Sequence, residues 1–229
     1  MNRKNKNPNG NEKTSGTFTD HEVRDYEKKR YRGLDQRIVN SREQSIIRRI
    51  LKTIAKETDG AQFLDAPCGY GRFTRVLLTG CDHLVNSDLS FFMVKRAVEQ
   101  GRSIQPVVYG AAADTKVGLP FKDETFDLVL SMRFFHHVHA GPEREAILRE
   151  FNRVVKEWVI LSYYRSNLLH QIQRKMRRQV KQRQTHISII PSEKFKKEVI
   201  DAGFEIIKAY PVIRGIHSQW IVFLRKVKT

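Results

Sequence analysis

Two short apolar runs of this chain each end in a carboxylate, and a glycine pair follows the first of them. The first run ends at Asp65 and precedes Gly69 and Gly71, while the second ends at Asp88, 23 residues after Asp65. Glycines at a turn between a strand and a helix let backbone N–H groups approach a nucleotide-like ligand closely. An acidic residue about 20 positions further on meets ribose hydroxyls in such units. The spacing therefore predicts a nucleotide-binding turn after the first strand.

Four segments of the chain follow one another as in a known family. Leu64-Asp65-x-x-Cys68-Gly69-x-Gly71-Arg72-Phe73-Thr74 is similar to motif I of the class I S-adenosylmethionine-dependent methyltransferases, and Asn86-Ser87-Asp88-Leu89-Ser90 to the motif of their second strand. Residues 112–121 and 123–129 resemble the motifs of the third and fourth strands. The resemblance covers roughly residues 60–226 and is that of a type 11/25-like methyltransferase domain.

The chain departs from the family pattern in two places. Pro67 stands where motif I usually has its first glycine, which stiffens the loop and removes one backbone donor. Lys156-Glu157 replaces the Gly-Gly turn that usually precedes the fifth strand. Neither change removes a residue that the resemblance assigns to the cofactor.

The resemblance implies that S-adenosylmethionine is the cofactor and supplies a set of contact residues. Asp65 is expected to face its positive amino or sulfonium end, and Asp88 to accept hydrogen bonds from both ribose hydroxyls. Asp114 is expected to bind the adenine amino group beside the small side chain of Ala113. Met132 and Arg133 are expected to line the methionine portion. The complete expected set is Asp65, Ala66, Gly69, Gly71, Asp88, Leu89, Ala113, Asp114, Met132 and Arg133.

Methyl transfer from a sulfonium is a direct displacement, so the protein must mainly hold the reacting atoms in line. His136 and His137 are candidate general bases, because imidazole titrates near neutrality. Tyr163 and Tyr164 end the fifth strand and either shape the acceptor pocket or are ordinary strand aromatics. No metal is expected, since no cysteine or carboxylate cluster accompanies the histidines. A cap over the cofactor is expected from Tyr26, Arg30 and Tyr31.

The composition indicates one basic domain. The chain has 229 residues, with 42 Lys and Arg against 25 Asp and Glu, a net charge of +17. This charge favours a polyanionic partner over a merely solvated basic surface. Two cysteines give no disulfide framework, and no apolar run reaches the ~18 residues of a membrane span. A cytoplasmic protein, peripheral to a membrane if its partner is lipid, is therefore expected.

Alternating apolar runs and helical patterns predict the architecture. Residues 1–19 are polar and predicted to be a disordered tail, residues 20–58 a helical cap, and residues 59–229 the methyltransferase domain. Alternation of strands and helices implies an α/β, Rossmann-like, doubly wound sheet. We expect seven strands near 61–66, 84–88, 107–112, 126–132, 158–164, 204–210 and 218–226. The last strand follows too short a connection for a crossover and should run antiparallel.

Residues Arg165–Gln184 interrupt this alternation. They include seven basic residues and no acidic one, and Leu168, Ile172, Met176 and Val180 form a narrow apolar stripe at helical spacing. The pattern predicts a basic amphipathic insertion. It is interpreted either as a solvated helix packed on the body or as a lid or docking surface for an anionic membrane or RNA.

Together these patterns predict a methyltransferase acting on a small-molecule or lipid-linked, anionic acceptor. An RNA methyltransferase is the alternative, drawn by the same net charge. Against it, Ser131-Met132-Arg133-Phe134 stands where enzymes that methylate base amino groups carry an Asn-Pro-Pro-Tyr-type motif. A third interpretation, a fold used only for binding, is disfavoured because all the cofactor carboxylates are present.

Overall fold

The computed structural model describes residues 18–30, 33–54, 60–105, 107–165, 188–214 and 218–228. The described residues contain seven strands: β1 (Gln62–Asp65), β2 (His83–Asp88), β3 (Val108–Ala112), β4 (Phe126–Ser131), β5 (Val155–Tyr164), β6 (Phe204–Pro211) and β7 (Gln219–Lys226). They also contain α1 (Asp20–Arg30), α2 (Leu34–Ile54), α3 (Thr74–Leu77), α4 (Phe91–Arg102), α5 (Gly141–Val154) and α6 (Ser192–Asp201), with a 3₁₀ turn at Phe135–His137.

The strands form one sheet in the order β3-β2-β1-β4-β5-β7-β6. Strands β1 to β5 pair in parallel, and β7 lies antiparallel to both β5 and β6. Six strands therefore share one direction and only the last is reversed. The predicted α/β architecture and its antiparallel last strand are confirmed. The order changes direction beside β1, which places the carboxyl ends of β1, β2 and β4 at one edge.

Helices cover both faces of the sheet, so its central strands are buried on both sides. On one face α2 and α3 pack through Ile47, Ile50 and Leu77 against alternate strand residues such as Phe63. On the other face α5 and α6 pack through Phe151 and Phe195 against residues such as Leu64 and Val129. Since β4 is flanked on both sides, Phe126, Leu128, Val129 and Leu130 are all fully buried.

Two boundaries differ from the expected ones. Helix α3 covers only Thr74–Leu77, although the sequence pattern predicts a helix near 71–80, because the chain from Gly69 to Phe73 is a series of turns. Helix α5 ends at Val154 and β5 begins at the next residue, earlier than predicted. Here the pairing of β4 with β5 shifts register between Phe126 and Leu128, which opposes one extra β5 residue. The Lys156-Glu157 segment is therefore part of a bulged strand instead of a turn.

Helix α1 is attached to the body by specific contacts. Its start is a capping box, in which Thr19 N donates to Glu22 Oε2 and Glu22 N donates to Thr19 Oγ1. Glu27 accepts two hydrogen bonds from Arg96 of α4, at 2.8 and 3.2 Å. Gln100 of α4 donates both to Glu27 and to the carbonyl of Tyr70, in the glycine turn. Helix α1 therefore lies over α4 and the turn after β1.

Two expected segments lie outside the described residues in whole or in large part. They are residues 1–17 of the predicted tail and residues 166–184 of the predicted basic insertion. Of the latter segment only Arg165 is described, and its guanidinium lies 5.0 Å from the ring centroid of Trp220. None of the described helices is both long and apolar enough to span a membrane.

Candidate active site

The carboxyl ends of β1, β2 and β4 bring the first group of expected residues together. Ala66 N donates to the carbonyl of Leu130 at 2.9 Å, and Cys68 N donates to that of Ser87 at 2.8 Å. These bonds fix the turn after β1 between the ends of its two neighbouring strands. Asp65 and Asp88, which end β1 and β2, are both buried beside this turn.

Asp88 organises the turn through both of its carboxylate oxygens. Oδ2 accepts a hydrogen bond from Gly69 N at 3.0 Å, and Oδ1 accepts one from Ser90 N at 2.9 Å. Burial raises the pKa of this carboxyl, while the backbone donors act in the opposite direction. Each oxygen keeps a second lone pair, so the carboxylate can also accept hydrogen bonds from ligand hydroxyls.

The carboxyl group of Asp65 is buried, but its hydrogen-bonding capacity is not fully used. Among the described residues, its Oδ2 has no hydrogen-bond partner. Burial raises the pKa of Asp65 well above its ordinary value; the charge of Arg72 opposes this rise and that of Asp88 adds to it. A buried carboxylate oxygen lacking a donor is costly, and a cationic ligand group beside it would remove that cost.

The two glycines of the turn serve different purposes. Both have positive φ angles, +54° at Gly69 and +89° at Gly71. A Cβ on Gly71 would lie 2.7 Å from Cα of Ala97, so the close approach of α4 requires glycine there. A Cβ on Gly69 would meet no atom within 4 Å. The space beside Gly69 is therefore open to a ligand.

The residues that follow β2 and β3 lie beside Asp88, at the same edge of the sheet. Ala113 N donates to the carbonyl of Asp88 at 3.0 Å, which places the half-buried Ala113 directly beside the Asp88 segment. Asp114 Oδ1 accepts a hydrogen bond from Lys116 N at 2.9 Å, so its carboxylate holds the start of the next turn. Leu89 is 44% exposed at the same edge. The expected adenine-side residues thus adjoin Asp88.

A buried cluster on the other side of the turn was not anticipated from the sequence. Glu43 of α2 is fully buried and accepts hydrogen bonds from Arg133 Nε and Nη2 at 2.9 and 3.0 Å. Arg72 Nη1 and Gln219 Nε2 also donate to it. Burial alone would raise the pKa of Glu43, but the charges and hydrogen bonds of Arg72 and Arg133 outweigh it and lower that pKa. Two guanidiniums thus share one carboxylate.

Arg133 occupies an unusual backbone conformation beside this cluster. Its φ is +57°, in the left-handed region that non-glycine residues rarely adopt. Its N–H donates to Ser162 Oγ of β5 at 2.7 Å, and its guanidinium is held by Glu43. Met132, just before it, is buried in the core next to α2. The Arg133 side chain reaches the middle of α2, where Glu43 holds it.

The paired histidines lie in the 3₁₀ turn after β4. The rings of His136 and His137 lie 3.9 Å apart, and that of Tyr164 is 4.9 Å from His136. Burial lowers the pKa of His136 to about 3, and the charges of His137, Arg133 and Arg30 act in the same direction. His136 Nδ1 has no hydrogen-bond partner among the described residues. His136 is therefore neutral at pH 7 and can accept a hydrogen bond.

A buried ion pair holds the segment after these histidines. Arg144 of α5 forms hydrogen bonds to both carboxylate oxygens of Glu198 of α6. Its Nη1 also donates to the carbonyls of Val138 and His139, at 3.1 and 3.0 Å. The histidine turn is thus tied to two helices. From the sequence alone, this pair is visible only as two charged residues, Arg144 and Glu198, on separate helical segments.

The expected acceptor and cap residues fall into different places. Tyr163 lies in the core, stacked on Phe195 with ring centroids 3.9 Å apart, whereas Tyr164 faces His136. Tyr26 contacts the Tyr70 ring at 6.0 Å, and the Arg30 guanidinium lies 5.3 Å from the Tyr26 ring centroid. Tyr31 lies outside the described residues. The structure therefore brings Tyr26, Arg30 and Tyr164 to the site and leaves Tyr163 in the core.

Comparison with known proteins places this geometry in a family. A family model described as a methyltransferase domain matches residues 64–161, which run from β1 into β5. This stretch of the chain is similar to the methyltransferase domain of class I S-adenosylmethionine-dependent methyltransferases. Its fold is theirs as well. A solved magnesium protoporphyrin IX methyltransferase from Synechocystis with SAH bound superposes with a TM-score of 0.71, at 17% identity over 89% of this chain and 98% of that one.

Other known proteins are similar to a smaller share of this chain. A solved SAM-dependent methyltransferase from Methanosarcina mazei has a TM-score of 0.62 at 18% identity over 75% of this chain and 95% of that one. A candidate methyltransferase of Encephalitozoon cuniculi is 36% identical over 94 residues, 41% of this chain and 40% of that protein. A tRNA (carboxymethyluridine(34)-5-O)-methyltransferase of Arabidopsis thaliana is 30% identical over 97 residues, 42% of this chain and 22% of that protein. The chain thus aligns with less than half the length of either curated relative.

The cofactor of this methyltransferase family is S-adenosylmethionine, and the residues present fit it. Its ammonium and sulfonium are cations, which suit the unpartnered oxygen of Asp65. Its ribose hydroxyls are donors for Asp88, and the open space at Gly69 admits the ligand. Its carboxylate suits the guanidiniums of Arg72 and Arg133 beside Glu43. No cluster of metal-binding side chains occurs in the described part of the chain.

Proposed function

We propose that this protein transfers a methyl group from S-adenosylmethionine to an anionic acceptor that is a small molecule or linked to a lipid. The observation that carries the proposal is the buried Asp65 oxygen without a partner, beside the open space at Gly69. A cation is the ligand that such an oxygen requires. Methionine-derived sulfonium and ammonium groups supply it, while most nucleotides would bring negative charge to the same place.

The residues of the chain contribute binding and alignment. When bound, S-adenosylmethionine supplies the methyl carbon and a neutral thioether leaving group, so the methyl passes to the acceptor's nucleophilic atom in one displacement. Asp88 would hold the ribose and Arg133 the carboxylate end. Their partners, Gly69 and Ser90 for Asp88 and Glu43 for Arg133, are already hydrogen-bonded in place. Such pre-positioned groups reduce the entropy lost in aligning the reactants.

The acceptor would enter beside the histidine turn. The guanidiniums of Arg133 and Arg30 both act on His136 electrostatically, so two cations contribute to the potential at that ring. An anionic acceptor would be attracted to this entrance. His136, neutral at pH 7, would accept a hydrogen bond from the acceptor and orient it, with the His137 ring 3.9 Å from its own. Tyr164 would form the adjoining wall.

RNA is the second candidate acceptor. The net charge of +17 and the similarity to a tRNA methyltransferase over 97 residues support it. The basic segment Arg165–Gln184 would suit either RNA or a membrane surface. The residues after β4, Ser131-Met132-Arg133-Phe134, lack the motif of base-amino methylation, so an RNA target would be a different atom.

Two measurements test the proposal. Calorimetric titration with S-adenosylmethionine should show binding that falls at least about tenfold in Asp88→Asn, the size expected from weakened hydrogen bonds to a charged group. Asp82→Asn, which changes an exposed carboxylate at the opposite end of β2, should bind normally. Radiolabelled methyl transfer to separated lipid, small-molecule and RNA fractions then identifies the acceptor class. Absence of cofactor binding by the wild type would refute the proposal.

A further inference from the structure

The outward, solvent-exposed face of α2 has an unusual amino-acid composition. Its inward face carries Val39, Ile46, Ile47, Ile50 and Ile54, together with Glu43. The opposite face, which we call the α2 outer stripe, contains no acidic residue. It consists of Leu34, Arg37, Ile38, Ser41, Arg42, Ser45, Arg48, Arg49 and Lys52.

The outer stripe combines exposed aliphatic groups with cations. Leu34 and Ile38 lie one turn apart on the same face and are 77% and 60% exposed. Arg37, Arg42 and Arg49 are exposed, and none forms an ion pair with a carboxylate in the described part of the chain. Exposed aliphatic side chains flanked by unpaired arginines have both components of an interfacial helix.

Shallow grooves run along this stripe. One, of about 450 Å³, is lined by Arg37, Ile38, Ser41, Arg42 and Ser45. A second, of about 230 Å³, shares Arg42 and Ser45 with the first and reaches Arg49 and Arg214. Arginine guanidiniums and serine hydroxyls are donors suited to phosphate oxygens. The two grooves together offer successive positions for phosphate groups.

The stripe lies on the same helix as a residue of the candidate site, Glu43. Glu43 contacts Arg133 at the carboxyl end of β4, and α2 continues from Glu43 back to Leu34. The nine rises from Leu34 to Glu43 correspond to about 14 Å of helix at 1.5 Å per residue. The half of α2 that carries Leu34 and Ile38 therefore extends away from that contact along the outside of the protein.

We propose that the α2 outer stripe docks the protein onto an anionic lipid surface. Arginines would bind the lipid phosphates in the grooves, and Leu34 with Ile38 would insert into the interface. RNA would account for the cations but leaves the two exposed aliphatic side chains unexplained. The inference rests on the proposed function in one respect, since docking on a lipid surface would bring the protein to a lipid-linked acceptor.

The test uses the full chain and sedimentation with phosphatidylcholine vesicles, with and without phosphatidylglycerol. The wild type should bind the anionic vesicles and not the neutral ones. The triple variant Arg37→Gln, Arg42→Gln, Arg49→Gln should bind roughly 100-fold more weakly, from about 1 kcal/mol per basic residue near the surface. Leu34→Ser with Ile38→Ser should weaken binding about tenfold through lost burial of apolar side chains.

A matched control removes the same charge elsewhere. Lys122→Gln, Lys194→Gln, Lys196→Gln alters three exposed lysines away from α2 and should retain vesicle binding within about twofold. An equal loss in this control would overturn the proposal, because it would mean attraction to net charge alone. Tighter binding to an RNA oligonucleotide than to vesicles, unaffected by the Leu34 and Ile38 changes, would also overturn it. Calorimetry with S-adenosylmethionine on the same samples separates this outcome from failure of the proposed function.

Discussion

Arg133 and Glu43 join the end of β4 to the helix that precedes the sheet, through two hydrogen bonds of 2.9 and 3.0 Å. The residues are 90 positions apart in sequence. Arg72, from the glycine turn, meets the same carboxylate. One buried carboxylate therefore fixes the relative positions of the cap, the cofactor turn and the acceptor entrance.

Replacing Glu43 by Gln should destabilise the protein and weaken cofactor binding together. The change leaves two largely buried guanidiniums without their countercharge, at a cost of about 3 kcal/mol. Urea unfolding at pH 7 measures it, with exposed Glu205→Gln as the control. The pKa of Glu43 is lowered in the folded state, so its contribution is present at neutral pH and lost as the pH falls through that pKa. Equal unfolding free energies of the wild type and E43Q would contradict this account.

Asp65→Asn should act in opposite directions on stability and binding. Because folding raises the pKa of Asp65, its charged form destabilises the fold, and stability without cofactor falls as the pH rises toward the folded-state pKa. Asn removes this cost, so the variant should unfold at a higher urea concentration at pH 7. It should also bind S-adenosylmethionine about 10- to 100-fold more weakly, because a charged hydrogen bond to the cation is lost. A variant that is less stable and binds normally would exclude Asp65 as the cation's partner.

The two glycines of the turn should respond differently to alanine. Gly71→Ala should cost about 2–3 kcal/mol of unfolding free energy, from the clash with Ala97 and the positive φ. Gly69→Ala should cost about 1 kcal/mol, from its φ alone, because no atom opposes the new methyl. Its cofactor affinity should nevertheless fall, since the methyl enters the ligand's space. Thermal denaturation and calorimetry of both variants distinguish the packing role from the binding role.

His136, in the histidine turn, should make the free energy of unfolding depend on pH. The pKa of His136 is lowered to about 3, so the neutral ring stabilises the fold fully above about pH 6.5, the ordinary pKa of histidine. This contribution should be lost at about 1.4 kcal/mol per pH unit as the pH falls from 6.5 toward 3. His136→Asn should flatten that part of the stability profile, whereas replacement of exposed His83 should leave it unchanged. An NMR titration that placed the His136 pKa near 6.5 would contradict the interpretation.

The sequence could predict which residues gather after β1 and β2, because these residues follow directly from strand ends. Asp65, Gly69 and Asp88 are local in sequence to β1 and β2, and parallel strands bring their carboxyl ends to one edge. Glu43 is different, because its partners lie 29, 90 and 176 positions away. The available signal was an acidic residue at a helical spacing within the apolar face of α2. Such a residue needs a buried partner, but the pattern does not identify it.

The start of the fifth strand is a second feature that the sequence pattern does not predict correctly. A helix followed by polar Lys156-Glu157 predicts a turn before the strand, yet Val155 already pairs with Phe126. The bulge absorbs the extra residue, which a period-two pattern does not reveal. The sequence pattern assigns Tyr163 and Tyr164 the same location, because both end this strand. Adjacent strand residues point to opposite faces, and only Tyr164 faces the histidines.

The unpartnered oxygen of Asp65 also has a consequence for the lifetime of the protein in a cell. Ligands that bind only the folded state reduce the fraction of molecules that proteases can attack. A cation that partnered this oxygen would bind more tightly by the relieved cost of the buried carboxylate, and the stabilisation of the fold would grow with that affinity. When methyl donor is scarce, more of the chain should unfold and be degraded. The steady-state amount of the protein would then follow the donor supply without any dedicated regulatory element.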